Sequence, residues 1–377
     1  MSRSGIAVCV LSLWFSQTAL AQGLSPAEAV RRMKTAPGFE VQLVASEPQV
    51  LQPIFVKFDD RGRLWTIQYL QYPNPAGLKR VKVDRWSRTI YDKIPEPPPK
   101  GPRGADKITV LIDNDHDGAA DEVKDVITGL NLCTGLEFGH GGLFVLQVPY
   151  LLYYPDKNCD DVPDADPEVL LSGFGMEDAQ SFANHLTWGP DGWLYGVNGS
   201  TTTCVIRGIE FQQGVWRYHP VTREFELFCE GGGNLYGLSF DAEGNLIYTG
   251  NGGYLAFHAL QGAYYLKTFG KHGPLHNPYA YGYFKDIQKN GAVPGAPSTG
   301  GTIYITSAQA NSFPSQFQNC LISGNFLGHS ISWWRMSPLG ATFSAKHEGL
   351  LVDSQDPWCG PTDLCLGPDG AIYWSDF

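Results

Sequence analysis

"LTWGPDGWLY", residues 186–195, carries alternating apolar residues on both sides of a Gly-Pro-Asp-Gly turn, and so reads as a β-hairpin. Three further segments fit the same template: "VKFDDRGRLW" (56–65), "LSFDAEGNLI" (238–247) and "LCLGPDGAIY" (364–373). Two weaker copies stand between them, "LEFGHGGLFV" (136–145) and "FPSQFQNCLISG" (313–324). Starts at 56, 136, 186, 238, about 314 and 364 are spaced by 80, 50, 52, roughly 76 and roughly 50 residues. A period near 50 is the length of one four-stranded blade, and the repeat predicts an all-β, six-bladed β-propeller.

The final copy stops at "AIYWSDF", ahead of its later strands, so the last blade is expected to be incomplete. "GFEVQLVAS" (38–46) alternates like a strand and is expected to close the ring by pairing with that blade. The two long intervals hold insertions. Residues 71–105 are Pro-rich and basic, and residues 268–298 are rich in Gly, Pro, His and Tyr. Long irregular insertions in a compact fold serve as lids or binding loops.

Composition agrees with an all-β chain: 377 residues, 43% hydrophobic and 17% charged, with 44 Gly and 26 Pro to supply turns. Residues 1–21 read as a secretory signal, with Arg3, the apolar "GIAVCVLSLWF" and Ala19-x-Ala21 before Gln22. Residues 22–37 are a lead-in, and 38–377 the propeller. A periplasmic or secreted protein with no membrane span after cleavage is expected. Loss of the leader leaves the chain one unit more negative than its formal −11, which argues against nucleic acid as a partner. Seven of the eight cysteines remain, an odd number in a disulfide-permissive compartment. The chain has no C-x-x-C-H, so no covalent haem of its own is expected.

"DNDHDGAAD" (113–121) crowds Asp113, Asp115, Asp117 and Asp121 around Gly118. Repelling carboxylates persist in a folded loop when water or a cation neutralises them. Side chains at positions 1, 3 and 5 with a glycine at 6 suit calcium. Position 12 is Lys124 and the flanks are strand-like, so the loop is not an EF-hand. The spacing recurs at Asp156, Asn158, Asp160 and Asp164, with Asp161 in the glycine's place. Both loops read as tips of related hairpins and as structural calcium sites.

The template, the paired acidic loops, "GFEVQLVASEP", "EVLLSGFG" and "NHLTWGPDGWLYGVNG" (184–199) occur in an order that resembles the "membrane-bound dehydrogenase" propellers of planctomycetes and their relatives. Those are similar in turn to the soluble pyrroloquinoline-quinone (PQQ) glucose and sorbosone dehydrogenases. The resemblance covers nearly all of residues 37–377. It implies oxidation of a sugar or polyol by hydride transfer to a bound quinone, with electrons passing to a separate cytochrome c. His185, just before the template, stands near the family's general base, and neutral imidazole chemistry suits that role. Asn234 matches the family's quinone-binding asparagine, whereas Gly233 and Leu327 stand where relatives carry arginine. A quinone with three carboxylates needs cationic partners. Arg207, Lys267, Lys271 and Arg335 are the candidate replacements. His140 and His329 occupy comparable places in their repeats, so a ring of histidines around the channel is a further expectation. Three functional classes therefore stand open: a quinoprotein dehydrogenase, a non-redox enzyme such as a calcium-dependent lactonase, and a calcium-stapled propeller that binds a glycan or a protein.

Overall fold

The computed structural model describes residues 23–84, 88–251, 255–267, 299–306 and 313–377. The expected leader and the 268–298 insertion lie outside the described residues. Ser25 caps a short helix, α1 (Pro26–Arg32), by accepting a hydrogen bond from the Glu28 amide at 3.4 Å, with Pro26 suited to the first turn. Strand β1 (Lys34–Thr35) follows.

The remaining strands form radial antiparallel sheets. The first holds β2 (Pro53–Phe58), β3 (Leu64–Gln68), β6 (Asp106–Ile112) and β7 (Glu122–Leu130), with a separate hairpin of β4 (Arg80–Val83) and β5 (Thr89–Tyr91) inside the 71–105 insertion. The second holds β8 (Cys133–Phe138), β9 (Gly142–Gln147), β10 (Tyr150–Pro155) and β11 (Glu168–Ser172). The third holds β12 (Asn184–Trp188), β13 (Leu194–Asn198), β16 (Gly214–Tyr218) and β17 (Phe225–Gly232), with a hairpin of β14 (Cys204–Ile206) and β15 (Ile209–Phe211) inserted. The fourth has three strands, β18 (Asn234–Phe240), β19 (Leu246–Asn251) and β20 (Ala256–Ala259), while β21 (Tyr264–Lys267) pairs in parallel with β17. The fifth holds β22 (Thr299–Ile305), β23 (Cys320–Asn325), β24 (Ser330–Leu339) and β25 (Thr342–Asp353). The chain ends in a two-stranded hairpin, β26 (Pro361–Leu366) and β27 (Ile372–Asp376).

The inner strands contact one another in a closed cycle, β2–β8–β12–β18–β22–β26 and back to β2. The fold is therefore a β-propeller-like ring in which five sheets have three or more strands, and the β26–β27 hairpin sits between the fifth and the first. The strong template copies are the inner hairpins of their sheets. The weak copy at 313–324 is displaced: the inner strand of the fifth sheet is Thr299–Ile305, and residues 313–324 form a 3-10 turn and the second strand.

Residues 38–46 do not pair with the last hairpin as expected. It is Lys34 and Thr35 that form a strand, on the outer edge of the fifth sheet opposite Asp353 and Val352. Past that edge, Phe39 and Val41 pack in a cluster with Ile372 and Trp374, and Val44 packs with Tyr373. The segment thus covers the short hairpin with side chains, and the Val44 carbonyl bonds the Ala120 amide of the first sheet at 2.8 Å. Template aromatics fill the space between sheets: Trp65, Tyr195 and Tyr248 are buried. Each such ring contributes roughly 1.5–3 kcal/mol of apolar burial.

Candidate functional site

Every inner strand carries a register shift near its start: Pro53/Phe55, Cys133/Gly135, Asn184/Thr187, Leu235/Leu238, Thr299/Thr302 and Pro361/Leu364. A bulge re-aims the side chain at that point. The residue just before the template in ring order is Phe55, Gly135, His185, Gly237, Gly301 and Asp363, so three bulky side chains share the ring with three glycines. His185 adopts a left-handed backbone, φ 54°. Its Nδ1 lies 3.6 Å from Oδ1 of Asp363, three steps around the cycle. The Phe55 and Tyr236 rings meet the imidazole edge-on at 5.7 and 6.1 Å. Tyr236 reaches the opposite way and donates its hydroxyl to the Ile54 carbonyl. Two contacts thus cross the axis, and the ring is closed at this level.

The pair is sealed. His185 is 7% and Asp363 1% exposed. His185 Nδ1 and Asp363 Oδ1 have no hydrogen-bond partner among the described residues. The other carboxyl oxygen of Asp363 accepts from the Val56 amide at 3.1 Å. Burial, aided by the charge of Lys57, pulls the imidazole down to about 3, and burial pushes the Asp363 carboxyl up to about 7. Lys57 forms an ion pair with buried Glu137 on the neighbouring inner strand. Asp363, Lys57, Glu137 and Tyr236 are site residues that the sequence reading did not pick out. The signal for Asp363 was present, since it precedes its template copy as His185 precedes its own.

The other predicted residues are scattered. Asn234 is engaged: its Oδ1 accepts from Ser181 Oγ at 2.7 Å, and its Nδ2 donates to the Gln180 carbonyl at 2.7 Å. Arg207 sits on the turn of the inserted β14–β15 hairpin and donates to the Arg223 carbonyl, remote from His185. Arg335, on the third strand of its sheet, is exposed, donates to the Gln316 carbonyl at 2.8 Å and lies 3.6 Å from Glu348. Lys267 pairs with Glu230 at 3.1 Å. Lys271 lies outside the described residues. His140 occupies the β8–β9 turn and His329 the β23–β24 turn, at opposite ends of their sheets, so no histidine ring forms.

At the end where the inner strands begin, Tyr72, Phe326 and Phe377 form a chain of rings, with Tyr72–Phe377 at 6.1 Å and Phe326–Phe377 at 6.3 Å. Tyr72 OH accepts from Gln180 Nε2 at 2.9 Å. Asp178 accepts from Thr201 Oγ1 at 2.5 Å beside it. This rim combines half-buried aromatic faces with an exposed amide and a carboxylate.

The acidic loops lie at the opposite end, between β6 and β7 and between β10 and β11. Their internal bonding repeats at most positions. Asp113 accepts from the Gly118 amide as Asp156 does from the matching Asp161, the second donor being His116 in the first loop and Asp160 in the second. Asp117 accepts from Ala119 as Asp160 does from Val162, and Asp121 from Asn114 as Asp164 does from Lys157. Gly118 (φ 89°) and Asp161 (φ 66°) share the left-handed turn. Beyond this the loops diverge. The Asp161 carboxylate is held by Arg63 at 2.7 and 2.8 Å with Lys124 at 3.6 Å, which lowers its pKa chiefly through the Arg63 hydrogen bonds. The first loop faces the β26–β27 turn, where Asp369 and Ala371 occupy the template places of Arg61 and Arg63. A cavity of about 160 Å³ lies there, lined by Asp113, His116, Asp369 and Tyr373. Ligand atoms of Asp113, Asp115 and Asp117 lie within 4.8 Å of one another, and no second such cluster occurs among the described residues.

Residues 25–377 match a family described as a domain of unknown function, DUF7133. The chain belongs to this family. No curated protein matches it significantly. Among solved structures it is similar to a chain from Thermus thermophilus assigned as an oxidoreductase (glucose dehydrogenase), at 13% identity and TM-score 0.51, over 92% of this chain and 93% of that one. It is also similar to the PQQ-bound form of an aldose sugar dehydrogenase from Streptomyces coelicolor, at 12% identity and TM-score 0.50, over 91% of each. At these identities the shared property is the propeller fold.

The quinone that this architecture hosts elsewhere carries three carboxylates. Among the described residues near the mouth the cations are engaged elsewhere: Arg88, whose charge reaches Glu177, pairs with Asp84, and Lys57 lies deeper, bound to Glu137, while Asn234 is committed to neighbouring loops. The described residues do not fit the group.

Proposed function

We propose that this DUF7133 chain is an exported, calcium-stapled binding propeller that takes a sugar or polyol at the aromatic mouth formed by Tyr72, Phe326 and Phe377. The observation that carries this reading is the rim itself. Aromatic faces accept the C–H surface of a sugar ring, and a neighbouring amide and carboxylate accept and donate to its hydroxyls. The sealed axis beneath it points the same way, because the His185 side chain is buried. Its Nδ1 faces Asp363. In this reading the β26–β27 hairpin counts as a sixth blade, and the chain is kin to the planctomycete-type propellers it resembles. Calcium in the first acidic loop supplies the positive charge that Arg63 supplies to the second. The described helices include none long and apolar enough to cross a membrane.

The reading is tested with the calcium-loaded protein and a panel of aldoses and polyols, by ligand-observed NMR, with Tyr72→Ala alongside. Binding that weakens at least tenfold in the variant supports it, and binding indifferent to Tyr72 removes the rim as the site.

A second reading, the quinoprotein dehydrogenase with His185 as base and a separate cytochrome c as acceptor, is favoured by one observation. His185 is held in a left-handed bulge against a carboxyl, a costly conformation of the kind that collects at functional sites. Saturable binding of PQQ followed by His185-dependent dye reduction would establish it.

A further inference from the structure

The closed axis poses a question about protons. His185 Nδ1 and Asp363 Oδ1 point at each other from opposite inner strands, 3.6 Å apart, with no other partner among the described residues. The nearest potential interloper is absent by sequence: a Cβ at Gly301 would stand 2.1 Å from Asp363 Oδ1, so the glycine leaves the carboxyl its place. If Nδ1 of a neutral His185 carries no proton it presents a lone pair, and an ionised Asp363 presents another. Two buried lone pairs face to face are unfavourable, and a proton between them removes the conflict.

We propose that His185 and Asp363 form a cross-axis latch that holds one proton, carried on Oδ1 of Asp363 and directed at Nδ1 of a neutral His185. Asp363 is then the positioning residue that fixes the tautomer and orientation of His185, and it is the group of the pair that titrates. The charged and titratable side chains around it come from each packed strand: Lys57 from β2, Glu137 from β8, His185 from β12, Tyr236 from β18 and Cys365 from β26 itself. The facing part of β22 is Gly301, and β27 brings Ser375, whose Oγ accepts from the Asp363 amide at 3.0 Å. Lys57 is ion-paired with Glu137, and its charge still lowers both His185 and Asp363, though burial outweighs it at the carboxyl. The upward shift of Asp363 and the downward shift of His185 agree with a neutral pair.

Linkage makes the latch visible without any ligand. The unfolded chain carries its proton on His185 between about pH 4 and 6.5, and the folded pair carries one on Asp363, so the pair adds no slope to stability in that window. Unfolding by urea between pH 4 and 8 is compared for the wild type, Asp363→Asn and His185→Gln. Relative to wild type, Asp363→Asn unmasks the buried imidazole, and its folding constant falls by up to tenfold per unit as pH drops below about 6.5. His185→Gln unmasks the buried carboxyl, and its folding constant falls by up to tenfold per unit as pH rises from about 4 to 7. Referring each variant to the wild type cancels Asp106, a second buried carboxyl raised to about 7. Profiles parallel to wild type in both variants would overturn the proposal. Should either variant fail to fold, ¹⁵N spectra of the wild-type histidines decide. A neutral His185 with a bare Nδ1 from pH 5 to 8 upholds the latch, and a doubly protonated ring below pH 6 refutes it.

Discussion

At the scale of single residues, the glycines of the inner ring are as informative as the charged groups. Gly301 is not in a left-handed conformation; its constraint is space, because any Cβ collides with the Asp363 carboxyl. Gly301→Ala is therefore expected to cost about 2 kcal/mol by overpacking, read from urea unfolding. Little of this was legible in the sequence. His185 was singled out because it precedes a strong template copy, and the same logic applied to the other copies yields Phe55 and Asp363. What the sequence cannot convey is that strands three steps apart in the ring direct these side chains at one another. That meeting depends on ring closure and on a bulge in each inner strand, both non-local.

At the scale of elements, the two acidic loops were legible as tips of related hairpins, because an Asx-rich turn is a local structure set by spacing. Their different neutralisation was not. Arg63 belongs to another hairpin, and its bidentate grip on Asp161 appears only once the first and second sheets are packed. Arg63→Ala leaves a carboxylate that is 9% exposed with Lys124 alone, and a loss of about 3 kcal/mol is expected. The Arg63 partnership lowers the folded-state value of Asp161, so its contribution is complete above the unfolded value near 3.8 and is lost as pH falls through the folded one. In Arg63→Ala that acid-limb loss should shrink. The first loop behaves differently. Calcium is expected to raise the melting temperature of the wild type, and Asp113→Asn is expected to abolish most of the rise, whereas Asp160→Asn keeps it. A melting temperature insensitive to calcium and chelator would remove the cation from the first loop.

For the whole molecule, the hairpin template gave the all-β class and the order of the sheets, since each copy is a contiguous strand pair. The edges were less accessible. The expected closure by residues 38–46 failed because alternation marks a segment that packs one face, and here Phe39, Val41 and Val44 do so on the last hairpin without ladder bonds to it. Distant cations suffered likewise: Arg207 and Arg335 belong to the outer parts of their sheets, where charge tracks solvent. The ring closed beneath its mouth and the aromatic rim above it together favour binding over redox chemistry. The most direct measurement is a titration of the calcium-loaded protein with aldoses and polyols, run once without and once with PQQ and an electron-accepting dye. Saturable binding that is indifferent to the quinone, with no dye reduced, is the expected result. Binding that requires the quinone and is accompanied by dye reduction would contradict it and establish a dehydrogenase.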